Sequence, residues 1–227
     1  MKVVCMIPAR MGSKRIKNKN MRHLGGIPLI SHSIRAAKEA GVFDEIYVNS
    51  ESDVLGDIAR QEGVLFHKRP PNLSTDIATN DGFTEEFLKA VECDYVVQLL
   101  PTSPFITAKE IRDFTRITME GTYDTVVSVK DVQIESVYKG IPINFDQKKP
   151  TPPSQDLDPV RAYACTLMGW RKTNFLHNMD RLGCAYHGGE GKIKFVSVKG
   201  FSEIDIDHEE DFKLAEAVWG YLNEGKS

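Results

Sequence analysis

The sequence carries no surplus of one charge and no long apolar run. Its 227 residues hold 29 Lys and Arg against 32 Asp and Glu, a formal net charge of -3. A general coat for nucleic acid is therefore excluded, and any basic site has to be local. No stretch approaches the roughly 18 apolar residues of a membrane span. The first apolar run, residues 3 to 7, enters a polar loop and is too short for the core of a signal peptide. Cysteine is scarce. Cys5, Cys93, Cys165 and Cys184 form neither a CxxC metal site nor a dense disulfide framework, which points to reduced thiols and a cytoplasmic setting. The six histidines show no HExxH or HxH spacing. Trp170 and Trp219 are not interleaved with basic runs and read as core. Internal repeats and low-complexity tracts are missing. What remains is a globular chain, 41% hydrophobic, long enough to bury one sizeable core as a single domain over 1–227.

What is present is an alternation. "KVVCMIPA" reads as a buried strand, and "PLISHSIRAAKEAG" sets Leu29, Ile30, Ile34, Ala37 and Ala40 near one helical stripe that stops at Gly41. Strand then helix recurs in "EIYVNS" and "SDVLGDIARQEG", in "VLFH" and residues 80–91, and in "YVVQLL" and 107–119. The strand "DTVVSV" follows. This rhythm predicts an α/β fold, a mostly parallel sheet flanked by helices on both faces. It fails over 131–161, where "KKPTPP" forbids a central strand or a helix interior, so this segment reads as an inserted arm. Strands are expected again in "YACTLMGW", "KIKFVSV" and "EIDID", then a closing helix over about 209–222; "HGGEG" at 187–191 reads as a turn.

Two stretches carry chemistry. "IPARMGSKRIKNKN" follows the first strand, where open α/β sheets bind their ligands. It contains neither GxxxxGK[ST] nor GxGxxG. Gly12 and Ser13 let backbone N–H groups approach an anion, while Arg10, Lys14 and Lys19 surround a triphosphate with charge. The same composition also suits a solvated basic loop. In "SEIDIDHEEDF" an extended strand would put Glu203, Asp205 and Asp207 on one face and Ile204 and Ile206 in the core. Such carboxylates suit Mg2+ held against substrate phosphates, or else an edge strand guarded by charge. Together the two stretches point to phosphoryl or nucleotidyl transfer, in which positioning and charge neutralisation carry most of the catalysis.

With "LGGIPLISHSI", "RPPNLSTDIAT" and "LLPTSPFIT" between them, these stretches make the chain similar, in order and over nearly its whole length, to the acylneuraminate cytidylyltransferases. The resemblance implies a Rossmann-like nucleotidyltransferase fold that transfers CMP from CTP to the anomeric hydroxyl of a sialic acid or related nonulosonate. It implies that Arg10, Gly12, Ser13 and Lys14 hold the phosphates, and that Lys19 and Asn20 lie over the α-phosphate and ribose. It further implies Arg69, Thr79 and Asn80 at the cytosine, Asp205 and Asp207 on Mg2+, and Gln98, Thr102, Ser103 and Arg161 toward the sugar acid. Lys19, Asp207 and Arg10 would act in catalysis. The arm 131–161 resembles the segment through which such enzymes form a homodimer. The chain departs from the pattern at Lys17, where Pro is common, at Leu100, where Gln is common, and at Tyr163 and Cys165, near a usual Asn-Gly pair. Lys17 adds charge for the phosphates, whereas Leu100, Tyr163 and Cys165 fall on the sugar side and point to a modified nonulosonate. Another acceptor, such as a Kdo-like acid or a phosphonate, and a non-catalytic nucleotide-binding homologue stay open as alternatives.

Overall fold

The computed structural model describes residues 1–224. Its β-branched and apolar runs form strands and its amphipathic segments form helices in the following order. β1 (Val3–Pro8) leads through a long loop to a small hairpin, β2 (His23–Leu24) and β3 (Ile27–Pro28), and then to α1 (Leu29–Ala40). β4 (Glu45–Ser50), α2 (Asp53–Gln61), β5 (Leu65–Lys68), α3 (Asn80–Ala90), β6 (Tyr95–Leu99) and α4 (Ala108–Met119) follow. β7 (Thr125–Val132), the short β8 (Val137–Tyr138) and β9 (Ile141–Pro142), β10 (Val160–Arg171), α5 (Lys172–Leu182), β11 (Ile193–Ser197) and α6 (Glu209–Asn223) complete the chain.

Seven strands make one sheet in the order β11-β7-β10-β6-β1-β4-β5. Every neighbouring pair is parallel except the two formed by β10. The chain winds outward from β1 through β4 to β5, then returns to place β6 on the other side of β1. The crevice at the carboxyl ends of β1 and β6 is therefore the topological switch point where such sheets take ligands.

Alternate strand residues feed two cores. Cys5, Ile7, Val97 and Leu99 meet α1, α2 and α4 through Ile34, Leu55 and Phe114. Met6, Val96 and Trp170 meet α3 and α5 through Phe83, Phe87 and Phe175 on the opposite face. Helices thus cover both faces, as the periodicity predicts. Local signals fix several ends: Thr107 and Glu110 form a capping box at the start of α4, and Gly41 closes α1 in a left-handed conformation.

Three expectations need correction. No strand forms over 203–207; Gly200–Glu203 is a 3-10 turn and the following residues run irregularly. Ile204 and Ile206 still pack inward without a ladder, while Glu203, held in that turn, does not join the cleft described below. Helix α5 is also present, unannounced by the strand alternation and closed by Gly183 at φ 71°. The arm is shorter than 131–161, because β7 and β10 pair from Val132 and Val160 and take both of its ends. What projects is 133–159, with β8 and β9 turning through Lys139 and Gly140, both at positive φ.

Candidate active site

Residues 9–22 leave β1 under strict anchorage. The Met11 N–H donates to Glu51 at 2.8 Å, and the Asn20 amide donates to the Arg10 carbonyl at 3.1 Å. Ile16, although flanked by cations, is 3% exposed. It enters a third apolar cluster with Leu24, Leu29, Ile206, Phe212 and Ala215. One patch of buried hydrocarbon therefore seats both the middle of the basic loop and the isoleucine between Asp205 and Asp207. The Ile206 N–H also donates to the Thr102 carbonyl at 2.8 Å, which ties the acidic segment to the end of β6.

The result is a cleft of about 650 Å³ whose walls include Arg10, Ser13, Lys14, Lys19, Asn20, Thr102, Asp205 and Asp207. Its charges sort into two groups. Asp76 accepts from Arg10 at 3.0 Å and pairs with Lys14 at 2.7 Å, and these cations hold its carboxyl below the usual carboxylate range. Asp207 Oδ1 lies 3.2 Å from Lys19 Nζ and 3.1 Å from Arg15. Lys19 is fixed more firmly, since its ammonium also donates to the Ile206 carbonyl at 2.7 Å.

Asp205 differs from its neighbour. Burial, aided by the negative charge of Asp207, pushes its carboxyl up, with the Thr102 hydroxyl acting in the opposite sense. Its Oδ1 is buried without a hydrogen-bond partner. Two crowded carboxylates, one with an unpartnered oxygen, suit a hard divalent cation. No cluster of three or more His, Cys, Asp or Glu able to enclose a metal occurs among the described residues.

A second cavity of about 210 Å³ adjoins the first, sharing Arg10 and Asp76 and lined also by Arg69 and Asn80. Arg69 is 3% exposed. It donates to the Asn49 side chain and, at 2.8 Å, to the Asn49 carbonyl, and it lies 4.2 Å over the Phe83 ring. Burial lowers its guanidinium to about 10. Thr79 does not line this cavity; its hydroxyl accepts from the Gly82 N–H at 3.0 Å and caps α3. Gly12 lies beside Ser13 and Lys14 in a shallow recess, with no atom within 4 Å of where a Cβ would sit.

The residues expected on the sugar side do not gather in the same way. Thr102 lines the cleft, as do Leu100 and Cys165. Gln98 is fully buried, with neither end of its amide partnered. Ser103 is buried too and accepts from the Thr166 hydroxyl at 3.1 Å. Arg161 stands outside the cleft, 3.4 Å from Asp131. Cys165 has φ 52° within the irregular register of β10, and burial together with the charges of Asp205 and Asp207 pushes its thiol up. Asp76, Glu51 and Asn49 were not foreseen. Asp76 lies inside "RPPNLSTDIAT", but only the fold brings it against the basic loop. All four cysteines are free, and no helix among the described residues is long and apolar enough to cross a membrane.

Comparison with known proteins places this geometry in context. The cytidylyltransferase family profile matches residues 4–142. An N-acylneuraminate cytidylyltransferase of Streptococcus agalactiae serotype III is 38% identical over 136 residues, covering 59% of this chain and 33% of that protein. One from Escherichia coli O18:K1:H7 is 29% identical over 241 residues, covering 99% of this chain and 54% of that protein. The chain thus spans about a third to a half of the length of these curated relatives. Among solved structures, a CMP:2-keto-3-deoxy-manno-octonic acid synthetase complexed with CTP superimposes with a TM-score of 0.76 at 16% identity, over 98% of this chain and 100% of that one. That likeness is one of fold.

Proposed function

The chain belongs to the cytidylyltransferase family, and from that premise we propose that it transfers CMP from CTP to the anomeric hydroxyl of a sialic acid or related nonulosonate, with release of pyrophosphate. The observation that carries the reading is the convergence of four cations with the carboxylates of Asp76, Asp205 and Asp207 in one cleft at the switch point of the sheet. In this reading Arg10, Lys14 and the backbone around Gly12 and Ser13 receive the phosphates and take over from Asp76 as their counter-ion. The small cavity beside Arg69 and Asn80 accepts the base, with Thr79 holding the start of α3 in place. Lys19, anchored on the Ile206 carbonyl, stands where charge grows on the α-phosphate, and Asn20 steadies the loop beneath it.

The sugar hydroxyl attacks the α-phosphorus. A new O–P bond forms, the bond to the β-phosphate bridge breaks, and the hydroxyl proton leaves toward the carboxylates or solvent. Asp205 and Asp207 are the residues that would hold Mg2+, which when bound polarises the phosphates and neutralises their charge. The orphaned Asp205 oxygen supports that assignment. Gln98 and Ser103 support the cleft from below, and Thr102 contacts the acceptor. The arm 133–159 carries exposed Ile134, Val137, Tyr138, Ile141 and Ile143, an apolar surface suited to a second copy of the chain. Free cysteines suit a cytoplasmic enzyme.

The direct test is pyrophosphate release from CTP and Mg2+ across a panel of 2-keto sugar acids. The expected outcome is release that requires both CTP and one acid. Silence across the panel, with CTP still raising the melting temperature, would indicate a different acceptor or a nucleotide-binding protein.

A further inference from the structure

A nonulosonate acceptor sets a condition that the residues assigned so far leave unmet. Its attacking hydroxyl and its carboxylate are attached to the same carbon. When the hydroxyl reaches the α-phosphorus beside Lys19 and Asp207, the carboxylate necessarily enters the same end of the cleft. There it meets Asp205, Asp207 and the phosphates, all negative, and a desolvated anion among like charges needs its own cation. Arg161 does not supply one within the protomer, because it stands outside the cleft beside Asp131. Arg10 and Lys14 lie at the other end, on Asp76. Lys19 is committed to the Ile206 carbonyl and to Asp207.

Arg15 remains. It lines the same cleft, and its guanidinium lies 3.1 Å from Asp207 Oδ1 with 56% of its side chain exposed. A guanidinium has five N–H donors in a rigid fork, and this single carboxylate contact leaves most of them open to a ligand. It also hangs one residue before buried Ile16, which fixes its root. On the cytidylyltransferase reading of the site, we infer that Arg15 is the acceptor-specificity residue, receiving the carboxylate of the sugar acid while Asp207 turns toward the reacting phosphates. Selection for acids with a carboxylate next to the reacting hydroxyl follows from this arrangement.

The test compares wild-type enzyme with Arg15→Ala and Arg15→Lys, using the acid that supports turnover and its carboxamide analogue, at varied CTP and acid. Arg15→Ala is expected to raise KM for the acid about tenfold to a hundredfold, the range for a lost charge-assisted bond, with KM for CTP within about threefold. Arg15→Lys should recover part of the loss. Wild-type enzyme should discriminate strongly against the carboxamide, and Arg15→Ala should lose most of that discrimination. Unchanged melting temperatures would show that the variants fold. A parallel rise in KM for CTP, or full discrimination retained in Arg15→Ala, overturns the assignment while leaving cytidylyl transfer intact. Wild-type enzyme that transfers CMP to no carboxylated acceptor overturns the reading of the site, and the role of Arg15 with it.

Discussion

Asp205 illustrates how a carboxylate crowded into a cleft weighs on the fold. Its buried Oδ1 makes no hydrogen bond, and burial beside Asp207 disfavours its charge. Asp205→Asn removes that charge, and the expected result is a melting temperature of the ligand-free protein that is unchanged or higher by about 2–4 °C near neutral pH, with pyrophosphate release lost. Asp207→Ala should also fold while losing Mg2+-dependent turnover; unchanged kinetics in a folded variant would remove Asp207 from the metal assignment. Arg69 behaves otherwise, because its guanidinium is buried and braced by Asn49 and Phe83. Arg69→Ala should harm CTP use more than that of other triphosphates, and an equal loss for every nucleotide would mean general damage. At this scale the sequence was legible in the gathering of Arg10, Lys14 and Lys19 with Asp205 and Asp207 around one cleft. It was silent on Asp76, whose partners Arg10 and Lys14 lie far away along the chain.

The elements that matter most to the site are the basic loop and α6, joined by the third apolar cluster. Ile206→Ala should cost about 2–5 kcal/mol, as for other buried aliphatic truncations, and should lower kcat as well, because both aspartates lose their shared anchor. Thermal unfolding beside single-turnover kinetics would measure both. His32 links α1 to α6: its ring stands edge-on to Trp219 and its Nε2 contacts the Leu24 carbonyl at 2.9 Å. Burial lowers its pKa from the ordinary 6.5. Below that pH the unfolded chain takes up the proton more readily than the folded one, so this contribution to stability falls as the pH falls from about 6.5 toward the folded value. His32→Asn is expected to flatten the dependence of melting temperature on pH between 5 and 7. Most elements were readable because their periods of 2 and 3.6 are distinct. The segment 203–207 misled because its alternation is satisfied by one buried isoleucine in an irregular chain, with no strand beside it. Helix α5 escaped notice because β10 runs directly into it without a glycine or proline between them.

On the scale of the whole molecule, periodicity foretold the alternation but not the reversal of β10, since strand direction is set by the connection through the arm and not by composition. If the arm pairs two copies, Val137→Asp with Ile141→Asp should shift the sedimentation of the protein toward the monomer without unfolding it. A wild-type protein that already sediments as a monomer would rule out the pairing. The contact between Lys19 and Asp207 spans 188 positions of the chain. The basic loop leaves a ribosome well before the carboxylates that complete the cleft. A nascent chain halted anywhere before residue 205 would own the lysines and arginines but lack the acidic wall, and would also lack Ile206 to anchor the loop through the shared cluster. The cleft would thus assemble in one step, once residue 207 has emerged, and a chain halted earlier would have no closed site in which to spend a nucleotide.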